Sequence, residues 1–549
     1  MFVLGHFVHR HLIVGGHWHA HSLFIISAKQ FKFCDIQSNY TDLSVMGKIS
    51  VFVLGSISLI IRRYVEQYKE QDLRTSLSEL EPDLGLPRID TYDFIIVGAG
   101  TAGCLLAGRL SVFFRVLLLE TGGPPPTTVN NPYFFRQYLD DPSINYLFTT
   151  RQKYISLESG GIFNFSQGRM MGGSGSHNYN GYARGSPLDY DTSRDIGILI
   201  NEDKMAYGVT YLRHGIPQIA HASRDVIISA GAILSPLMLM KSGVGPPQIL
   251  RDANIPIHEA LPGVGQNLGD HPLAQLTFEI GNAAAAAAFD AILPESDFEK
   301  ELIKFHSTPR DGVFAKIRAQ QAFLVSSRAK ENGEKGWPDI LLISTLFPEQ
   351  NTSQMYFSIA LGRPRSRGSV TLNRKAYLSR EVNDENLAAI DLGSLADHTD
   401  LEVMLEALRM VLKIKETSAF KRLDLKLSSV IPPSCKIYRF DSNNFWKCYI
   451  THTTKTFWHY SGTCKMGPKS DPFAVVDSKF RVFGIRALRV VDASVLPMST
   501  GSNTNAPTLL VAEKAACCIL RNHLQPNFGD KFCPLDYPWL FKPVVDPHK

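Results

Sequence analysis

A short, largely apolar run, Tyr92-Asp93-Phe94-Ile95-Ile96-Val97, leads directly into Gly98-Ala99-Gly100-Thr101-Ala102-Gly103. The run is short and rich in β-branched residues, which predicts a buried parallel strand. Residues 104–110 have helical character, and residues 116–119 form a second apolar strand that ends at Glu120. Apolar runs at 198–200 and 226–229 predict further strands. A different pattern occupies residues 50–61, an apolar stretch preceded by Met46-Gly47-Lys48 and followed by Arg62-Arg63. Its length is that of a signal-peptide core and is short for a bilayer span. It predicts that Met46 is the true start, that 1–45 is an extension, and that the product is secreted. A membrane anchor through 50–61 is the alternative. Pro526, Pro534, Pro538 and Pro543 forbid a long helix at the C-terminus, so 526–549 reads as a surface tail.

The order strand, glycine turn, helix, strand, acid has a specific physical meaning. Gly98 permits the tight turn, Gly100 lets backbone approach a pyrophosphate, and Gly103 lets the helix pack on the strand. The helix N-terminus offers free N–H groups to phosphates. Glu120 stands 22 residues after Gly98, where it can accept hydrogen bonds from a ribose diol. The turn predicts a bound dinucleotide and leaves NAD and FAD both open.

Length and composition narrow the partners. A chain of 549 residues suggests two or more domains, or one large α/β unit with an insertion. It is 44% hydrophobic and 20% charged, which suits a large buried core. The net charge of +5 comes without a basic stripe and gives no warrant for nucleic-acid binding. Eight cysteines lack CxxC or zinc spacing, so they read mostly as free or buried thiols with one or two bridges at most. His17, His19 and His21 alternate as on one face of a strand, yet no carboxylate or cysteine sits near them, and nothing in the sequence demands a metal. Sequons at Asn39, Asn164 and Asn351 are compatible with secretion.

Two more glycine-rich segments decide between the dinucleotides. The first runs Gly168-Arg169-Met170-Met171-Gly172-Gly173-Ser174-Gly175-Ser176-His177-Asn178-Tyr179-Asn180-Gly181 and on to Arg184. The second runs from Gly231-Ala232-Ile233-Leu234-Ser235-Pro236 to Gly243-Val244-Gly245. Near the C-terminus come His459-Tyr460-Ser461-Gly462-Thr463-Cys464-Lys465-Met466-Gly467, Val490-Val491-Asp492-Ala493-Ser494 and Gly501-Ser502-Asn503-Thr504-Asn505-Ala506-Pro507. Arg363-Pro364-Arg365-Ser366-Arg367-Gly368, followed by Val370-Thr371-Leu372, is a further motif. In this order, from about residue 92 to 520, the motifs resemble the glucose–methanol–choline (GMC) oxidoreductase family of flavoenzymes. Met171 and His177 stand where that family usually has aliphatic residues.

The resemblance implies an α/β fold. It would join a Rossmann-like FAD-binding domain, assembled from discontinuous segments, to a substrate domain on an antiparallel sheet. The expected boundaries are an extension over 1–90, FAD domain over 91–272, substrate domain over 273–454, FAD domain again over 455–525, and the tail. FAD would be the cofactor. Gly98, Gly100, Thr101, Ala102, Gly103 and Glu120 would hold its ADP half. Arg169, Gly172, Gly173, Ser174, Asn178 and Gly181 would line pyrophosphate and flavin. Asp492 and Ala493 would meet the ribityl–phosphate region, and Asn503 and Thr504 the isoalloxazine end. His459 falls on the family's catalytic histidine, and Asn503 on its second position, which is His or Asn in relatives.

The chemistry implied is hydride transfer from an alcohol or sugar, with a quinone or another group as electron acceptor. A base must take the hydroxyl proton, and histidine suits that role because its pKa lies near neutral. Asn503 would orient the alcohol and hydrogen-bond its developing alkoxide. His177 and His271 are the competing histidines, and His271 reads as structural or near the surface of the cofactor domain. Cys464 and Met466 read as packing. The alanine run 283–288 reads as a loop insertion or a helical turn.

One departure from the family is large. After Arg184-Gly185-Ser186-Pro187-Leu188-Asp189-Tyr190-Asp191, only residues 192–197 precede the strand at 198–200. The family carries about a hundred more residues there, on the order of a small domain. Their loss would open the cofactor site to water. Three readings follow: a dehydrogenase, an oxidase, or a destabilised relative that keeps the flavin fold without turnover.

Overall fold

A computed structural model describes residues 2–4, 89–123, 125–126, 138, 141–176, 196–213, 216–290, 319–346, 354–380 and 383–524. The apolar stretch 50–61, the N-terminal histidines, His177, Asn178, Gly181 and the tail 526–549 lie outside them. Chain contacts divide the molecule into two units. One comprises 1–4, 90–215 and 219–549; the other, 5–89 with 216–218, lies almost wholly outside the described residues.

Strand β1 (Ile89–Val97) is buried at Tyr92, Phe94, Ile95, Ile96 and Val97, so both of its faces are covered. That is what a continuous apolar run requires of a parallel strand. Helix α1 (Thr101–Leu110) follows the glycine turn and buries Ala102, Leu106 and Leu110. Strand β2 (Val116–Leu119) then pairs parallel to β1, with Phe94 opposite Val116. A separate hairpin follows, β3 (Asn145–Arg151) against β4 (Ile162–Gly168). The chain returns to the first sheet with the pair β5 (Gly197–Ile200) and β6 (Ala206–Arg213), then β7 (Ile216–Ile228), and passes into helix α2 (Gly231–Lys241). The predicted strand at 226–229 is thus the C-terminal end of a much longer one.

A second sheet is antiparallel throughout. In spatial order its main strands are β9 (Ala319–Leu324), β10 (Ile340–Leu346), β11 (Gln354–Leu361), β8 (Pro272–Ile280) and β12 (Leu425–Leu427). Along β8 burial alternates, with Ala274, Leu276, Phe278 and Ile280 turned into the core. Alternation of this kind marks a sheet with one face solvated. The inner face is covered by helix α3 (His398–Ile414), through Val403, Met404, Ala407, Leu408 and Val411. Helix α4 (Asn443–Thr453) adds Phe445, Trp446, Tyr449 and Ile450. The alanine run begins a helix, Ala283–Asp290, whose start Asn282 caps by accepting from the Ala284 and Ala285 amides.

The chain crosses back through the short strand β13 (Lys455–Thr456), which pairs with Pro272 and Leu273. It re-enters the first sheet as β14 (Leu488–Val490), parallel to β7 at Val226–Ile228. Helix α5 (Asn505–His523) then lies against α1, and Glu513 forms an ion pair with Arg109. The first sheet is therefore assembled from segments almost four hundred residues apart.

A disulfide joins Cys435 to Cys448, tying the turn before α4 to the helix itself. Cys104, Cys464 and Cys518 are free thiols. Closing a loop of this size restricts the unfolded chain and contributes about 2–4 kcal/mol. Cys435→Ser should accordingly lower the melting temperature by several degrees in non-reducing buffer. Equal melting of variant and wild type in non-reducing buffer would show that the bridge does not form.

Candidate active site

The glycine turn departs from the C-terminal end of β1. Gly98 has φ +99°, a conformation that other residues rarely adopt, and its amide donates to Leu119 O at 2.8 Å. A side chain there would also press on the Ser229 carbonyl at the end of β7. Gly103 packs α1 directly against the Gly98 carbonyl, with no room for a Cβ. Helix α1 has no side-chain cap and no acid in its first turn. Its leading N–H groups face a cavity lined by Gly98, Gly100, Thr101, Ala102, Glu120, Gly173 and Ser174. A Cβ on Gly100 would meet nothing within 4 Å. Uncapped donors beside an open backbone surface are what a diphosphate needs.

The second glycine segment lies against the first. Gly172 N donates to Ala99 O at 2.7 Å, Gly100 and Gly172 pair as an isolated parallel bridge, and a Cβ on Gly173 would meet Gly100 Cα at 3.0 Å. This corrects two expectations. Gly172 and Gly103 do not line the cavity; they let the loops and the helix approach one another. Arg169 is corrected as well. Its guanidinium donates to the Pro142 carbonyl and lies over the ring of Tyr146, so Tyr146 rather than Arg169 lines the cavity.

Glu120 does line the cavity, and it also holds the glycine turn. Its Oε2 accepts from Ala99 N at 2.8 Å and its Oε1 from Gly122 N at 3.0 Å. Burial pushes its carboxyl up to about 7, against the pull of those amides. Asp492 accepts from the Gly231 amide, the Ser235 hydroxyl and the Ser494 amide, and so ties α2 to the end of β14. Ala493 and Thr504 reach the cavity wall nearby. At another part of the wall Lys241 and Asp384 stand 3.7 Å apart, an ion pair between residues 143 positions apart that no local pattern foretells.

His459 reaches the same cavity through the pairing of β13 with β8. Pro272 faces Thr456, and Phe457 N donates to His271 O. Beyond that pair the chain bulges. Trp458 has φ +58°, a strained value for a bulky residue, and His459 N then donates to Asp270 Oδ1 at 3.0 Å. Gly269 and Ser461 close the bulge with reciprocal backbone bonds. The result aims the His459 ring at the cavity, where its Nε2 lies 3.3 Å from Asn503 Nδ2. The two residues expected to act together are therefore in contact.

Of the two readings of His271, structural or near the surface, the second is corrected by its burial. It is fully buried, and its Nδ1 lies 2.7 Å from His459 Nδ1, the two rings nearly perpendicular at 84°. Burial, and then His271, holds the His459 imidazole well below the usual histidine value, so it is neutral at neutral pH. His271 is likewise held down, at about 4, by burial. Asp270 is pushed up to about 6 by the same cause. Cys464 is buried with its thiol driven upward, as packing requires.

Uncapped helix N–H groups, a carboxylate at the next strand end and a neutral histidine facing one cavity define a dinucleotide-binding oxidoreductase. Family models described as GMC oxidoreductase match residues 192–273 and 364–512, the family's N- and C-terminal domains. The chain thus carries segments matching both GMC oxidoreductase domains. It is 24% identical to glucose dehydrogenase [FAD, quinone] of Drosophila pseudoobscura pseudoobscura over 632 aligned positions, covering 91% of this chain and 96% of that one. It is 27% identical to ecdysone oxidase of Bombyx mori over 583 positions, covering 80% and 83%. Among solved structures it shares its fold with formate oxidase of Aspergillus oryzae, with a TM-score of 0.66 and 21% identity over 79% of this chain and 99% of that one.

Proposed function

We propose that this chain is an FAD-dependent oxidoreductase that oxidises the CH–OH group of a small alcohol or sugar, with His459 as the base. The contact of His459 Nε2 with Asn503 at the cavity wall carries this reading. Its cofactor is FAD. The strand–turn–helix–strand unit of β1, α1 and β2 is Rossmann-like, and Gly98, Gly100, Thr101, Ala102 and Glu120 would hold the ADP half. Gly173 and Ser174 would follow the pyrophosphate, with Asp492, Ala493 and Thr504 beyond them. The bound flavin supplies the hydride acceptor. The protein supplies the rest: His459 takes the hydroxyl proton at Nε2, and the Asn503 amide donates to the substrate oxygen as charge builds on it.

A second reading, a destabilised relative with poor turnover, has its own support. The alignment to the Drosophila enzyme spans 632 positions, more than the 549 residues of this chain, so that relative carries stretches without a counterpart here. The N-terminal family match also begins at Thr192, beside the abrupt join after Asp191. A shortened wall would leave FAD accessible to water and weakly held.

Anaerobic mixing of the FAD-loaded protein with alcohols, sugars and sterols tests both readings. Bleaching of the flavin by one class supports the first and names the substrate. Stoichiometric flavin after purification together with rapid bleaching would eliminate the second. Reoxidation by quinone without peroxide would mark a dehydrogenase, and peroxide formation an oxidase.

A further inference from the structure

We infer that His271 is a positioning residue, one that keeps the His459 proton on Nδ1 and leaves Nε2 bare toward the cavity. The inference rests on the reading of His459 as the base and adds how that base is held ready. A neutral imidazole carries one proton on one of two nitrogens, and the partner of the other nitrogen decides which. A base that must accept at Nε2 needs its proton on Nδ1.

Two contacts agree on one arrangement. Asn503 Nδ2, a donor, faces His459 Nε2 at 3.3 Å, which calls for a lone pair there. His459 Nδ1 faces His271 Nδ1 at 2.7 Å, so only one of those two nitrogens carries hydrogen. With its lone pair on Nε2, His459 carries its proton on Nδ1 and donates it to His271 Nδ1, which accepts. The opposite arrangement sets His459 Nε2–H against the Asn503 amide protons, and that end would repel.

The arrangement also serves the step itself. When His459 takes the hydroxyl proton at Nε2 it becomes a cation with both nitrogens protonated. His271 Nδ1 then faces a stronger donor, and the bond tightens as charge develops. No proton needs to leave toward His271, which burial keeps neutral. The antiparallel pairing that sets Pro272 opposite Thr456 fixes the distance, so the relay is built into the second sheet rather than into a loose loop.

Solid-state 15N NMR of the full chain labelled at histidine reads the tautomer directly, with no substrate present. The His459 signals are identified by their loss in His459→Ala. The expected spectrum shows His459 Nε2 unprotonated and Nδ1 protonated. In His271→Gln the amide oxygen accepts the same bond, and the tautomer should persist. In His271→Leu, of similar volume but without an acceptor, the Nε2–H form should become the major one. On the FAD-loaded protein, the leucine variant should then lose about tenfold or more in kcat, with KM nearly unchanged and recovery in the glutamine variant. A protonated Nε2 in the wild type, or a His459 tautomer unchanged in His271→Leu, overturns the inference. The tautomer is read without turnover, so a chain that oxidises no alcohol refutes the proposed function while leaving this test decisive.

Discussion

His459→Ala should leave FAD bound but cut the rate of substrate-driven flavin bleaching by roughly 10²–10⁴-fold, the usual worth of a positioned general base. The alanine removes the nitrogen that faces Asn503 and leaves the glycine cradle around Gly98 and Gly173 untouched. Visible absorbance of the purified protein checks retention, and anaerobic stopped-flow checks the rate. An unchanged rate would move the base elsewhere, with His271 the nearest other imidazole. Since His459 is held neutral by burial and by His271, the loss should persist across the neutral pH range rather than appear only on the alkaline side.

Gly103→Ala should do the reverse, removing the cofactor first. Its new methyl would collide with the Gly98 carbonyl, a backbone group of a residue whose amide donates to Leu119 O. Either α1 lifts from the turn or the turn distorts, and each displaces the amides that face the diphosphate. Overpacking of this kind costs about 1–3 kcal/mol. We expect a lower melting temperature and at least a tenfold loss of FAD affinity by fluorescence quenching. Gly108→Ala, on the same helix with nothing within 4 Å of the added carbon, is the matched control and should change neither. Normal affinity in Gly103→Ala would show that the helix N-terminus does not hold the phosphates.

The difference between those two sites also explains what could be read from the chain. The glycine turn is local: its strand, helix and acid fall within thirty residues, and each spacing has one structural meaning. His459 and Asn503 were found through resemblance, and their contact across 44 residues needed the folded chain. The burial and partner of His271 were hidden because they depend on register. His271 gains a partner 188 residues away only because β13 pairs with the start of β8 and then bulges at Trp458. The signal present in the sequence was a histidine beside Asp270, immediately before an alternating strand, and nothing local assigns that a site. Arg169 failed for a related reason. In an irregular loop no periodicity tells which way a long side chain turns, and here it found the Pro142 carbonyl. The disulfide was equally hidden, since several cysteines allow many pairings.

The return of the chain as β14 beside β7 has a consequence for synthesis. Val226–Ile228 gains its neighbour Leu488–Val490 only after 260 further residues have been made. At about 5–20 residues per second the wait is on the order of tens of seconds. Throughout it the C-terminal end of a central strand presents an open edge. His459 and Asn503 arrive in the same late stretch. The strands of the antiparallel sheet are thus all synthesised before the flavin sheet can gain its last strand.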